Sequence, residues 1–131
     1  MAVTYETATT AIRAQLTSAV RAKDAPAIAA WRSLLSRLDN ACAVPAPPAA
    51  EPTAASEHIA GAVAGVGAAE APRRDLSAAE IEAIVAAEAA SRSEAADWLD
   101  QAGRDRESTA ARYQAKLLTR YHDAITGRHN A

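Results

Sequence analysis

The sequence predicts an all-α fold, an antiparallel bundle of two αα-hairpins joined by a long Ala/Pro/Gly-rich connector. Three observations point there. Half of the 131 residues are hydrophobic, but aromatics make up only 4% and Phe is absent, so alanine supplies most of the apolar surface. Alanine has the best helix propensity and lets helix backbones approach, whereas a sheet wants β-branched and aromatic residues. Four segments carry apolar residues at helical spacing, and stop and start signals meet at Lys23-Asp24 and again at Gly103-Arg104-Asp105.

The first helix is expected over about 9–23, where Ile12, Leu16, Ala19 and Val20 gather on one face. Asp24 is placed to cap the second helix, about 25–40, with Pro26 in its first turn and Ile28, Trp31, Leu35 and Leu38 in one stripe. So short a joint implies an antiparallel hairpin. Residues 41–75 lose this periodicity. "ACAVPAPPAAEPTAAS" reads as an extended connector, followed by glycines at 61, 65 and 67 and then Arg73 and Arg74.

Ser77-Ala78-Ala79-Glu80 has the form of a capping box, with Leu76 and Ile81 as the matching hydrophobic staple. It opens a third helix over about 78–102. Gly103 stands where a left-handed residue ends that helix. Asp105 stands where a cap begins the fourth, about 106–123, with Ala110, Tyr113, Leu117 and Tyr121 at helical spacing. The whole forms one domain.

Charge is divided between the helices. Residues 76–102 hold six acids against Arg92, while residues 104–122 hold five bases against Asp105 and Glu107. Rim pairs between such helices contribute only about 0–1 kcal/mol each but favour their pairing. Two sets of residues go beyond that pattern. Glu88 and Arg92, at i and i+4, fall inside the apolar stripe of the third helix, with Arg32 near enough on the second to join them. Charges placed there must be paired, either as a buried network or around a ligand-facing polar pocket. Arg112, Lys116 and Arg120 repeat every four residues on the fourth helix, close to Arg104 at its start. Like charges at this spacing want anions nearby, supplied by carboxylates of the third helix or by a phosphate-bearing partner such as RNA.

The formal net charge of −2 excludes a uniformly basic nucleic-acid binder. Cys42 is alone, which rules out an internal disulfide, and it has no basic neighbour to activate its thiol. His58, His122 and His129 are scattered without carboxylate partners. No P-loop, dinucleotide fingerprint, GxSxG elbow or HExxH motif occurs, so no catalytic residue, metal ligand or cofactor is assigned. Arg73 and Arg74, with the nearby glycines and the start of the third helix, form a weak candidate anion site beside the plainer reading of a connector. The N-terminus has an early acid and no apolar core segment, and the low-charge run 59–69 is too short to span a bilayer. A soluble cytoplasmic protein is expected, without a membrane partner.

The ordered set of these features is similar to the GatB/YqeY family, whose members resemble the tail domain of the aspartyl/glutamyl-tRNA amidotransferase. The resemblance is carried by Lys23-Asp24 between the first two helices and by Arg32 with Leu34 and Leu35. It continues through Glu88 and Arg92, the Ala102-Gly103-Arg104 corner, and Leu118 with Tyr121. The connector "EHIAGAVAGVGAAEAPRRDLS" is similar to that of actinobacterial members. The chain departs from the pattern at Gln114, where the family usually has an acid, and at His122-Asp123. The family usually continues into a second small helical subdomain, which is not expected within these 131 residues. The resemblance implies a non-catalytic accessory module near tRNA or tRNA-dependent amidotransferase machinery. Any glutamine-dependent carbon–nitrogen ligase activity would be inherited from the family by that resemblance alone. A protein–protein adaptor without nucleic-acid affinity is the alternative.

Overall fold

A computed structural model describes residues 2–43 and 73–127. Four helices occupy them: α1 (Tyr5–Ala22), α2 (Ala25–Cys42), α3 (Ala78–Gln101) and α4 (Asp105–Thr126). Among the described residues there is no strand, only an isolated antiparallel bridge between Ala43 and Arg73. The fold is all-α, as the alanine-rich composition predicts. Most of the connector lies outside the described residues, with its glycines and His58, as does His129.

Each boundary has a local cause. α1 starts four residues before its expected position because Thr4 and Thr7 form a reciprocal capping box. The backbone N–H of Thr7 donates to the Thr4 hydroxyl at 3.1 Å, and that of Thr4 donates to the Thr7 hydroxyl at 2.9 Å. A threonine in place of the usual Glu or Gln hides this signal in the sequence. Asp24 caps α2 as expected, accepting from the Ala27 N–H at 3.1 Å. Ser77 and Glu80 complete the expected box on α3, and the staple residues Leu76 and Ile81 both lie in the core. The expectation for Asp105 needs correcting. The cap residue of α4 is Arg104, with no side-chain cap, and Asp105 is the first helical residue. There its charge faces the positive end of the helix dipole rather than an orphan N–H. α4 continues to Thr126, where Gly127 turns left-handed at φ 79°.

The pairing follows from the contacts. Tyr5, at the start of α1, donates its hydroxyl to Asp39, near the end of α2, so these helices run antiparallel. In the second hairpin Arg112 reaches back from α4 to Asp97, 15 positions earlier on α3. α2 is central: it packs on α1, α3 and α4. Its two aspartates are each held by a tyrosine of another helix, Asp39 by Tyr5 and Asp24 by Tyr113. Gln114, buried in α4, donates to the Pro26 carbonyl at 2.9 Å. Trp31 of α2 meets Tyr121 of α4 edge-on, with ring centroids 6.0 Å apart. Ile12, Leu34, Leu38, Ile81, Val85 and Leu118 fill the sealed centre.

The two ends of the connector come together at the base of this core. The Arg74 N–H donates to the Cys42 carbonyl at 2.9 Å. The Arg73 guanidinium lies 5.7 Å from the centroid of the Tyr5 ring.

Two corners invite opposite substitutions. Gly103 has φ 75° and Lys23 has φ 57°, both left-handed, and a side chain at Gly103 would meet no steric obstacle. Gly103→Ala is expected to cost about 1 kcal/mol in urea unfolding through backbone strain alone, and Lys23→Gly to be neutral or to stabilise by up to about 1 kcal/mol.

Candidate functional site

The charged residues singled out in the sequence fall into three places, a buried network between α2 and α3, the outer faces of α3 and α4, and the end of the connector, where Arg73 and Arg74 lie beside Tyr5 and Cys42. Glu88 is only 2% exposed. Ser33 donates its hydroxyl to Glu88 Oε2 at 2.6 Å, and an Arg92 guanidinium nitrogen donates to the same oxygen at 3.1 Å. Arg37 Nε stands 2.7 Å from Oε1. Its N–H is misaligned, so this contact is an ion pair that leaves Oε1 without a directed donor. The Arg92 Nε is likewise buried and unpartnered.

Glu88 and Arg92 are therefore paired inside the apolar stripe, as their spacing implies. Arg32 is not part of the network. It is exposed, and Ser33 with Arg37 takes its place. At about 100° per residue, Arg32 lies about 140° around α2 from the centre of the Ala27, Leu34 and Leu38 stripe, and Arg37 only about 80°. Ser33 and Arg37 lie on the opposite flank, about 120° and 80° from that centre, and this is the flank that the packing turns toward Glu88. A carboxylate held on three sides in this way sets the packing of α2 on α3.

The candidate anion-binding residues are spread over the surface. Arg104 makes a two-pronged contact with Glu107, at 2.6 and 2.8 Å. Arg74 pairs with Glu80 at 2.7 Å, and Arg73 lies over Tyr5. The Ser77 backbone N–H and then Arg74 hold the Glu80 carboxyl below the usual glutamate range. Arg112 pairs with Asp97 at 3.0 Å and with Asp100. The Ser108 hydroxyl, and Arg112 after it, hold the Asp100 carboxyl below the usual aspartate range. Asp100 in turn, with Asp97, raises the Arg112 guanidinium above its ordinary value. α3 thus supplies the carboxylates that Arg112 requires.

Lys116 and Arg120 differ: both are exposed and neither has an ion pair among the described residues. Each step of four residues turns the helix by about 40°, so the cation run winds around α4. Arg112 and Lys116 border a groove of about 470 Å³ between α3 and α4, floored by alanines, with Ser93, Thr119 and His122 on its walls. Arg120 opens instead toward Trp31 and Gln15. The three cations do not converge on one point.

Burial raises the Cys42 thiol above its ordinary value and outweighs the opposing charge of Arg73 and Arg74, which the fold, not the linear sequence, brings beside it. Among the described residues no three His, Cys, Asp or Glu side chains gather to hold a metal, and no helix is long and apolar enough to cross a membrane. Comparison of the chain with protein-family models, curated proteins and solved structures finds no match.

Removing the Glu88 carboxylate strands Arg92. Glu88→Ala is expected to cost about 3 kcal/mol in urea unfolding. Arg32→Ala should fall within about 0.5 kcal/mol of the parent, as an ordinary surface change does.

Proposed function

We propose that the chain is a non-catalytic binding module of the GatB/YqeY type, working beside tRNA or tRNA-dependent amidotransferase machinery. Lys116 and Arg120 make the phosphate contacts, and Arg112 and Arg104 extend them. The observation that carries this reading is the pair of exposed α4 cations with no ion-pair partner among the described residues. Arg112 and Arg104 already hold carboxylates, so they contribute less than a bare count of bases suggests. A binding role, not a catalytic one, is supported by Glu88: its carboxylate is engaged by Ser33, Arg37 and Arg92 and serves packing.

One observation favours a second reading, a protein–protein adaptor without nucleic-acid affinity. Trp98 is 62% exposed on α3, and tryptophan is the residue most enriched at the energetic centres of protein interfaces.

Electrophoretic titration with tRNA at low salt separates the two. The module reading predicts a shift at protein concentrations on the order of 10 µM, weakened by Lys116→Ala and Arg120→Ala. Each substitution should also flatten the salt dependence by about one phosphate contact. An unshifted tRNA at that concentration retires it.

A further inference from the structure

α1 is held less firmly than the other three helices. α2, α3 and α4 each pack on the other two, whereas α1 packs on α2 and has no comparable contact with α3 or α4. Two hollows, of about 270 and 250 Å³, lie between α1 and α4, with Ala11 and Gln15 on one side and Tyr121 and Ala124 on the other. The buried face of α1 consists of Ala8, Thr9, Ile12 and Ala19, so Ile12 is its one large sealed side chain. Among the described residues its side chains make a single hydrogen bond to another helix, that of Tyr5 with Asp39. α4, by contrast, reaches α2 through Tyr113 and Gln114 and reaches α3 through Arg112, while Glu88 ties α3 to α2.

What does hold α1 is concentrated at its two ends. At the start, the Tyr5 hydroxyl donates to Asp39 and the Arg73 guanidinium lies 5.7 Å from the centre of the Tyr5 ring. Arg73 is itself fixed at the end of α2, by its bridge with Ala43 and by the Arg74 N–H on the Cys42 carbonyl at 2.9 Å. At the other end, Lys23 takes a left-handed φ of 57°, and among the described residues no other non-glycine residue does so. A strained corner of this kind favours motion there over motion elsewhere. A helix of 18 residues is marginal alone in water, so once undocked α1 also melts, and the two changes form one event. From this arrangement we infer that α1 is a hinged helix, latched at Tyr5 by Asp39 and Arg73 and pivoting at Lys23. It opens as one unit while α2, α3 and α4 stay folded. Opening uncovers Trp31 of α2 and Tyr121 of α4, which border a hollow beside Gln15 of α1. The device is separate from the phosphate contacts of α4 and does not depend on them.

Native-state hydrogen exchange of the full chain, labelled with ¹⁵N and read amide by amide, tests this directly. Interior amides of α1, after correction for intrinsic rates, are expected to exchange at least about tenfold faster than those of α2, α3 and α4 and at one common rate, the mark of a cooperative opening. Tyr5→Phe removes the hydroxyl that Asp39 accepts and keeps the ring. It should speed the α1 amides about fivefold and leave α3 and α4 unchanged. Arg73→Ala should act in the same direction and on the same helix. Gly103→Ala supplies the mirror image. It strains the corner of the second hairpin, so it should speed the slowest amides of α2, α3 and α4 and leave those of α1 unmoved. The inference is overturned if α1 exchanges at the rate of the other helices. It is also overturned if Tyr5→Phe and Arg73→Ala speed all four helices alike, if both leave α1 unmoved, or if Gly103→Ala speeds α1 along with the rest.

Discussion

A carboxylate that is 2% exposed between two helices has to keep its cations, and Glu88 imposes that condition on α2 and α3. Ser33 and Arg37 approach it from α2, and Arg92 from the next turn of α3. A shift of one helix along the other would open these contacts and leave charge in an apolar interface. Around it the core has few large side chains, with Ile12, Leu34, Leu38, Ile81, Val85 and Leu118 as its fully buried ones. The polar seat adds a directional contact to that core, alongside those of Tyr5 with Asp39, Tyr113 with Asp24 and Gln114 with Pro26.

The consequences reach the surface. With α2 fixed on α3, the α3–α4 hairpin carries α4 against α2, where Gln114 meets the Pro26 carbonyl and Tyr121 meets Trp31. α1 is attached differently, through α2 and the Tyr5–Asp39 contact. The outer cations follow as well. Arg112 turns toward the acids of α3; Lys116, one turn later, still borders the α3–α4 groove but shares it with alanines and Ser93 of α3, while Arg120 has wound round toward Trp31 and Gln15.

Much of the fold was legible in the residues. Asp24, the Ser77–Glu80 box and Gly103 sit where local hydrogen-bonding chemistry needs them, and local chemistry does not depend on the rest of the chain. The Thr4–Thr7 box was hidden because a second threonine replaces the usual long acceptor. Asp105 misled because a carboxylate at a helix start serves equally as a cap or as a dipole partner in the first turn. The buried site was half legible. Glu88 and Arg92 declare themselves as charges inside one stripe, but their partners come from another helix, and its rotation decides whether Arg32 or Arg37 is near.

The account rests on Glu88 and Arg92 acting as one unit around a buried carboxylate, and a double-mutant cycle on that pair, read by urea unfolding, tests it most directly. Replacing each by alanine, singly and together, should give a coupling energy above about 1 kcal/mol, because either single change strands the other charge. Additive losses, with coupling within about 0.5 kcal/mol of zero, would mean that both groups are solvated and that something else sets the register of α2 on α3.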